Sequence, residues 1–214
     1  LLLRISAAPN TVDEYNSPYT PTKILKVCNM VEEFGDEIVV IGVRHKIVVD
    51  AYADELRRRF PKRKLFVVTG STTTLAKRRK LKSALKESGN GILLCTQQCL
   101  PSSVNFEFIN KVIIPELHYN NARMSQFYMR FVRFNSKEDK DIYFVTYSGS
   151  IESNQMQMVL AKEKLNLFMR GQDTDLDDIY ERFGVDYDLL SVLMSREMDE
   201  NGKMYIKWGE QNIA

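Results

Sequence analysis

The sequence predicts an α/β protein built in three layers, a mostly parallel central sheet with helices on both faces, with a small C-terminal extension. Three observations carry that prediction. Strand-sized apolar runs alternate with segments of helical periodicity along most of the chain. Those runs are apolar at nearly every position, as a sheet buried on both faces requires, whereas a sheet with one wet face would alternate. The segments between them are long enough for helical crossovers, which join parallel strands with right-handed geometry.

The elements follow in order. The opening "LLLRISAAPN" has neither a starting methionine nor a charged leader, and it reads as a cut from a longer chain. Thr22 can cap a helix whose apolar residues Ile24, Val27, Cys28, Val31 and Phe34 recur at helical spacing, with Gly35 ending it. Glu37 to Val43 is the first buried strand. A helix through "VVDAYADELRRRF" follows, with Pro61 beyond its end. "KLFVVTG" is a strand stopping at Gly70, and "TLAKRRKLKSALKES" a helix stopping at Gly89. "GILLC" and "KVIIPE" are further strands, separated by the irregular stretch Thr96 to Asn110. A helix from Asn120 to about Phe134, the strand "DIYFVTY" and a long helix from about Ser153 to Arg170 complete the pattern. Beyond it, Thr174 can cap a short helix, "YDLLSVLMSREM" reads as a second, and "DENGK" as a turn before the strand "MYIKW". The expected division is 1–170 for the main domain and 171–214 for an acidic extension docked on it.

Composition narrows the function. A chain of 214 residues, 44% hydrophobic and 27% charged, buries one substantial core and is neither disordered nor collagen-like. No apolar run approaches the roughly 20 residues that cross a bilayer, so a soluble protein with no membrane partner is expected. Cys28, Cys95 and Cys99 form no CxxC pair and only His45 and His118 accompany them, so neither a disulfide scaffold nor a metal site is expected. Cys95 and Cys99 read as core thiols, the two histidines as loop or core residues, and the lone Trp208 as a packing anchor.

Charge is unevenly placed. From Ala53 to Lys86 there are twelve Lys or Arg against two acids, and from Gly171 to Glu200 ten acids against two Arg. The basic block suits a phosphate backbone, although such a run is also what a solvated face looks like. Ligands of open α/β sheets sit at the carboxyl ends of the strands, which directs attention to the loops after Val43, Thr69, Cys95 and Pro115. None of them carries the GxxxxGK[ST] phosphate cradle, so a nucleoside triphosphate would have to be held mainly by something else. On the helix after "ELHYNNARMS", Gln126, Arg130 and Arg133 stand at i, i+4 and i+7 and would share one face. Two guanidiniums on one stripe can neutralise charge on a transferring phosphoryl group. Phe127, Met129, Phe131, Val132 and Phe134 surround them, which predicts a largely buried helix with its arginines lining a cleft.

These residues resemble a known family. The chain is similar to the second, C-terminal RecA-like lobe of superfamily 2 helicases of the Swi/Snf type of ATP-dependent DNA translocase. Gln126, Arg130 and Arg133 meet that family's Gln-x-x-x-Arg-x-x-Arg motif, and Tyr119, Asn120 and Asn121 stand at its Trp-Asn-Pro signature. "SSVNFEFINKVII" resembles its Gly-x-Asn-Leu segment with Asn105, Val112 and Ile113 in register; "TGSTTTLAKRR" resembles its Gly-Ser/Thr stretch and basic helix, and "YSGSIESNQM" its Gly-Thr-Ile-Glu close. The family's paired glycines are replaced by Leu100 and Pro101, its Gly before the first motif arginine by Met129, and its Ile-Gly-Gln by "FNSKED". These departures point to a divergent branch, bacterial or viral, in the cytoplasm, with a nuclear location as the alternative.

The resemblance implies an ATP-hydrolysing DNA helicase or translocase as the full-length protein, with this fragment alone inactive. ATP and Mg2+ would be held mainly by a missing N-terminal RecA-like lobe. Arg130 and Arg133 would reach the γ-phosphate, Arg133 as arginine finger, and Gln126 would couple nucleotide to lobe closure. Gly70, Ser71, Thr72, Lys77, Thr96, Gln97 and Asn105 would face the DNA backbone. The alternative is a noncatalytic α/β module that binds nucleic acid or protein, with the arginine stripe serving structure.

Overall fold

The computed structural model describes residues 2–13, 19–70, 75–100, 105–118, 120–132, 138–169, 196–198 and 204–206. Within them the chain runs through α1 (Leu2–Ala7), a 3-10 turn (Pro9–Thr11), α2 (Thr22–Glu33), β1 (Val39–Val43), α3 (Lys46–Arg59), β2 (Leu65–Val68), α4 (Leu75–Ser88), β3 (Ile92–Thr96), β4 (Lys111–Ile114), α5 (Asn121–Tyr128), β5 (Asp141–Phe144), α6 (Ile151–Met169), β6 (Arg196–Met198) and β7 (Met204–Ile206). It divides into two compact units, Leu1–His118 with Ala122–Thr146, and Tyr119–Asn121 with Tyr147–Ala214. The expected border at residue 170 lies outside the described residues.

In the first unit, β1 to β5 form one sheet in the order β2-β3-β1-β4-β5, with every pairing parallel. A right-handed crossover puts its connection on one face when the chain moves one way along a sheet, and on the other face when it moves back. The step from β1 out to β2 therefore sets α3 on one face. The return steps from β2 to β3, β3 to β4 and β4 to β5 set α4, the 97–110 connection and α5 on the opposite face.

The core confirms those sides. Val39, Ile41 and Val43 of β1, with Ile92, Leu94 and Ile113, pack against Val27, Val31, Val49, Tyr52 and Leu56 of α2 and α3. The alternate residues Val40, Leu93, Cys95, Val112 and Ile114 pack against Leu81, Leu85, Phe106 and Phe127 on the other face. Here Gly42 matters, because a Cβ at that position would stand 2.4 Å from the Phe127 ring. Bare backbone in the central strand lets α5 lie down on the sheet.

Two local expectations are corrected. Thr22 is the first helical residue of α2, not its cap: Pro21 holds the cap position in an extended conformation, with no side-chain cap bond, and its carbonyl accepts from Leu25 N. More consequential for function, α5 stops at Tyr128 instead of running to Phe134. Arg130 N bonds Phe127 O and Phe131 N bonds Tyr128 O, so the chain tightens into i to i−3 turns. The Arg130 carbonyl accepts from Phe106 N at 3.0 Å, drawn away by the neighbouring loop, while the buried Phe131 ring settles between Phe106 and Phe127. Met129 and Val132 are exposed, so the surroundings of the arginines are only partly apolar.

At the amino edge of the sheet, Arg63 ties loops together. Its guanidinium donates to the carbonyls of Val31 and Gly35 at the end of α2, of Glu37 before β1, and of Asn90 before β3. In the second unit, Ser150 Oγ accepts from Glu152 N, Ser153 Oγ accepts from Ser150 N, and the buried Glu152 carboxylate accepts from Tyr147 N, which fixes the start of α6. β6 and β7 pair antiparallel, so residues 196–198 are strand and not the end of the expected helix. Thr174, the apolar stretch 189–194 and Trp208 lie outside the described residues.

Candidate functional site at the carboxyl edge of the sheet

A buried polar network stitches the carboxyl ends of β1, β3 and β4. Gln97 N continues the ladder to Val43 O at 2.9 Å. The Gln97 side chain, 5% exposed, donates its Nε2 to Gly42 O at 3.0 Å and to Glu116 O at 2.6 Å. Glu116, 4% exposed, takes the other half of the join: its Oε2 accepts from the backbone N–H of Arg44 at 2.7 Å and His45 at 3.1 Å, and its Oε1 meets His45 Nδ1 at 2.5 Å. A buried carboxylate must be hydrogen-bonded to be tolerated, and here the donors come from the adjacent strand end. Lys23, 2% exposed at the start of α2, donates to Pro115 O at 3.3 Å.

The loops expected to carry function are placed by this frame. Thr96 is 7% exposed and its hydroxyl donates to Cys99 Sγ at 2.7 Å, while a Cβ at Gly70 would stand 3.3 Å from that sulfur. The turn after β3 therefore rests on the end of β2, bringing Gly70, Thr96 and Gln97 to one edge. The side chains of Thr96 and Gln97 are turned inward, leaving the main chain of that turn as their outward contribution. Asn105 is exposed on the same connection. Ser71, Thr72 and Arg133 lie outside the described residues. Lys77 lies on the first turn of α4.

Gln126 and Arg130 differ in exposure. Gln126 is exposed on α5, whereas Arg130 lies in the turn beyond, with Nε and Nη1 removed from solvent. Its positive charge reaches the wholly buried Cys95, whose thiol is pushed well above the usual cysteine range by burial first and by Cys99 next, against the pull of Arg130. Such a thiol is an inert core group, as the sequence suggests. Reading the motif as an unbroken helix places both groups on one stripe. The helix ends at Tyr128, between the two, and passes into the tightened turn.

Sequence reasoning passes over Glu116 and Lys23 and sees no acid partner for His45. His45 has one in Glu116, 71 residues away in sequence. His118 follows two residues after Glu116, and its imidazole is held below the usual histidine range by partial burial first, then by Arg44, Arg123 and His45. Only the pairing of β1 with β4 brings these groups together, and no local pattern announces that pairing.

No family model matches the chain, and no curated protein does. Among solved structures, the chain is similar to the C-terminal part of the Fun30 ATPase domain, with a TM-score of 0.58 and 19% identity over 71% of this chain. The fold is RecA-like. The chain spans 50% of that structure's length. Domain 2 of the Mss116p DEAD-box helicase, bound to an RNA duplex, is also similar, with a TM-score of 0.48 and 14% identity over 77% of this chain and 74% of that one. Among the described residues, no helix is long and apolar enough to cross a membrane.

Proposed function

We propose that this chain is the C-terminal motor lobe of an ATP-dependent DNA helicase or translocase of the Swi/Snf type, working against an N-terminal RecA-like lobe. One observation carries the reading. The Gln126, Arg130, Arg133 motif follows β4 in a chain with the fold of the C-terminal part of an ATPase domain, in the segment that leaves the carboxyl edge of the sheet.

ATP and Mg2+ would be held mainly by the other lobe, and the residues present fit the complementary half of such a site. The sequence has no glycine-rich phosphate cradle. What it offers is guanidinium. Arginine stays protonated and presents a planar fork to phosphoryl oxygens, so Arg133 as finger and Arg130 beside it would stabilise charge that grows in the transition state. Arg130 is already anchored through its carbonyl to Phe106 N, so less freedom is lost when its side chain engages. Gln126 would sense the same nucleotide and couple it to lobe closure. DNA would be followed through phosphates by Gly70, Ser71, Thr72, Lys77, Asn105 and the main chain of the Thr96–Gln97 turn, contacts that read no bases.

The test is DNA-stimulated ATP turnover by the parent protein, measured beside nucleotide affinity. Arg133→Ala is expected to lower turnover on the order of 10³-fold while leaving affinity and melting temperature nearly unchanged, and Arg133→Lys to rescue little. The 214-residue chain alone should turn over no faster than buffer. Turnover within about tenfold of the parent in the alanine variant overturns the assignment, because losing a finger should raise the barrier by roughly 4 kcal/mol and not roughly 1.

A further inference from the structure

We infer that Gln97 is a positioning residue, whose carboxamide clamps the loop leading from β4 to α5 onto the turn after β3 so that the two move together. That DNA drives such a movement rests on the function proposed above.

The clamp stands where the sheet stops holding itself. β3 and β4 are not neighbours, because β1 lies between them. β1 pairs with β3 as far as Val43 opposite Thr96, but with β4 only as far as Ile41 opposite Ile113. Past that point the ladder no longer holds the chain of β4 to β1. Gln97 follows β3 directly and closes the gap from the far side of β1. Its main chain donates to Val43 O at 2.9 Å, and its Nε2 donates to Gly42 O at 3.0 Å and to Glu116 O at 2.6 Å. Both side-chain acceptors are carbonyl oxygens, so the amide nitrogen and not its oxygen must face them. With 5% of the residue exposed, this side chain is committed to the frame and is not available to a phosphate.

Glu116 extends the hold in one direction. Its carbonyl is gripped by Gln97, and its carboxylate accepts from Arg44 N at 2.7 Å and His45 N at 3.1 Å, so the first residues after β1 are fixed through it. Shortly afterwards the chain enters α5, from which the motif residues follow. In the other direction lies the turn after β3. Cys99 N closes that turn onto Thr96 O at 2.9 Å, and the Cys99 sulfur lies against Gly70 at the end of β2. A displacement of this turn therefore reaches the loop before α5 through short, directed bonds, the kind of contiguous network that carries coupling. Under the proposed function, the first loop follows DNA and the second leads to the nucleotide-facing arginines.

The experiment is amide hydrogen exchange by NMR in the full 214-residue chain, comparing the parent with Gln97→Met, which keeps the reach of the side chain and removes both donors. In the variant the Arg44 and His45 amides should exchange about tenfold faster or more, the expected effect of two lost hydrogen bonds on a local opening. Ile92 N–H, bonded to Lys64 O at the amino end of β3, should keep its rate. A general loss of stability would instead speed all three alike, and that result overturns the clamp, as do unchanged rates at Arg44 and His45. A short DNA duplex is then added to each protein. In the parent, the amide signals of residues 97–99 and 116–118 should shift together, and in the variant those of 97–99 alone. Faster exchange with no response to DNA supports the clamp and overturns the DNA reading for this chain. Shifts at 97–99 that never reach 116–118 in the parent, or that still reach them in the variant, leave DNA binding standing and overturn transmission through Gln97. If Gln97→Met does not fold, the parent decides: the Gln97 side-chain NH2 protons should exchange at least about tenfold slower than those of the exposed Gln98 and Gln126, and equal rates overturn the clamp.

Discussion

A glycine in the middle of a central strand is ordinarily a weakness, and Gly42 sits in β1, a strand buried at every position. Its value is the space that the Phe127 ring fills, since a methyl group at Gly42 would stand 2.4 Å from that ring. Gly42→Ala should push α5 off the sheet and destabilise the chain by about 1–3 kcal/mol, the usual range for overpacking a filled core. A urea midpoint measures it, and adding Phe127→Leu should recover part of the loss by shrinking the obstruction. If Gly42→Ala is neutral, the contact does not position α5. The residue scale is also where sequence reads the site least well. The motif residues are visible as a string, but not that the helix ends between Gln126 and Arg130, whose carbonyl accepts from Phe106 N. Glu116 looks like an ordinary loop acid until β4 is laid beside β1.

Elements are more legible. The apolar runs become β1 to β5, with ends trimmed by a few residues, and Gly35 and Gly89 take the positive φ that ends α2 and α4. Strand order is not legible, because nothing in the string "GILLC" says that it inserts between β2 and β1. Nor does a basic block reveal which of its members hold elements together. Arg63 is one of the twelve basic residues between Ala53 and Lys86, yet it bonds four carbonyls, at 2.6 Å from Glu37 and 2.8 Å from Asn90, and lies 5.8 Å from the Phe60 ring centre. Burial lowers its proton affinity, as expected for a guanidinium drawn from water. Arg63→Ala should leave the end of α2 and the approaches to β1 and β3 untied, at a loss of about 2–3 kcal/mol, since bonds to a charged group are worth more than neutral ones. Arg63→Lys should recover little, because an ammonium cannot span a fork of carbonyls. Thermal melts of both variants check this; a lysine variant as stable as the parent would mean charge alone suffices there.

For the molecule as a whole, a net charge of +2 conceals a basic region and an acidic one, and the pairing within the first bears on the DNA binding proposed above. Arg57 and Arg58 pair with Asp54 and Glu55 on their own helix, Arg59 reaches Glu32, Arg63 is engaged with carbonyls, and Lys82 grips Glu107. Under the proposed function, the Lys77–Lys80 run on α4 is the main candidate for the electrostatic footprint, close in sequence to Gly70, Ser71 and Thr72. Counterion release makes that footprint measurable: each phosphate neutralised adds about 0.9 to the fall of log K with log salt on duplex DNA. Lys77→Glu with Lys80→Glu should therefore flatten the slope by roughly 1–2 and weaken binding most at low salt, where the Debye length is longest. Arg57→Ala, which removes an exposed charge already paired with Asp54, should leave the slope nearly unchanged. Titrating a labelled duplex at several salt concentrations gives all three slopes. If the arginine variant flattens its slope as much as the lysine pair does, the footprint is diffuse net charge and α4 does not line the DNA path.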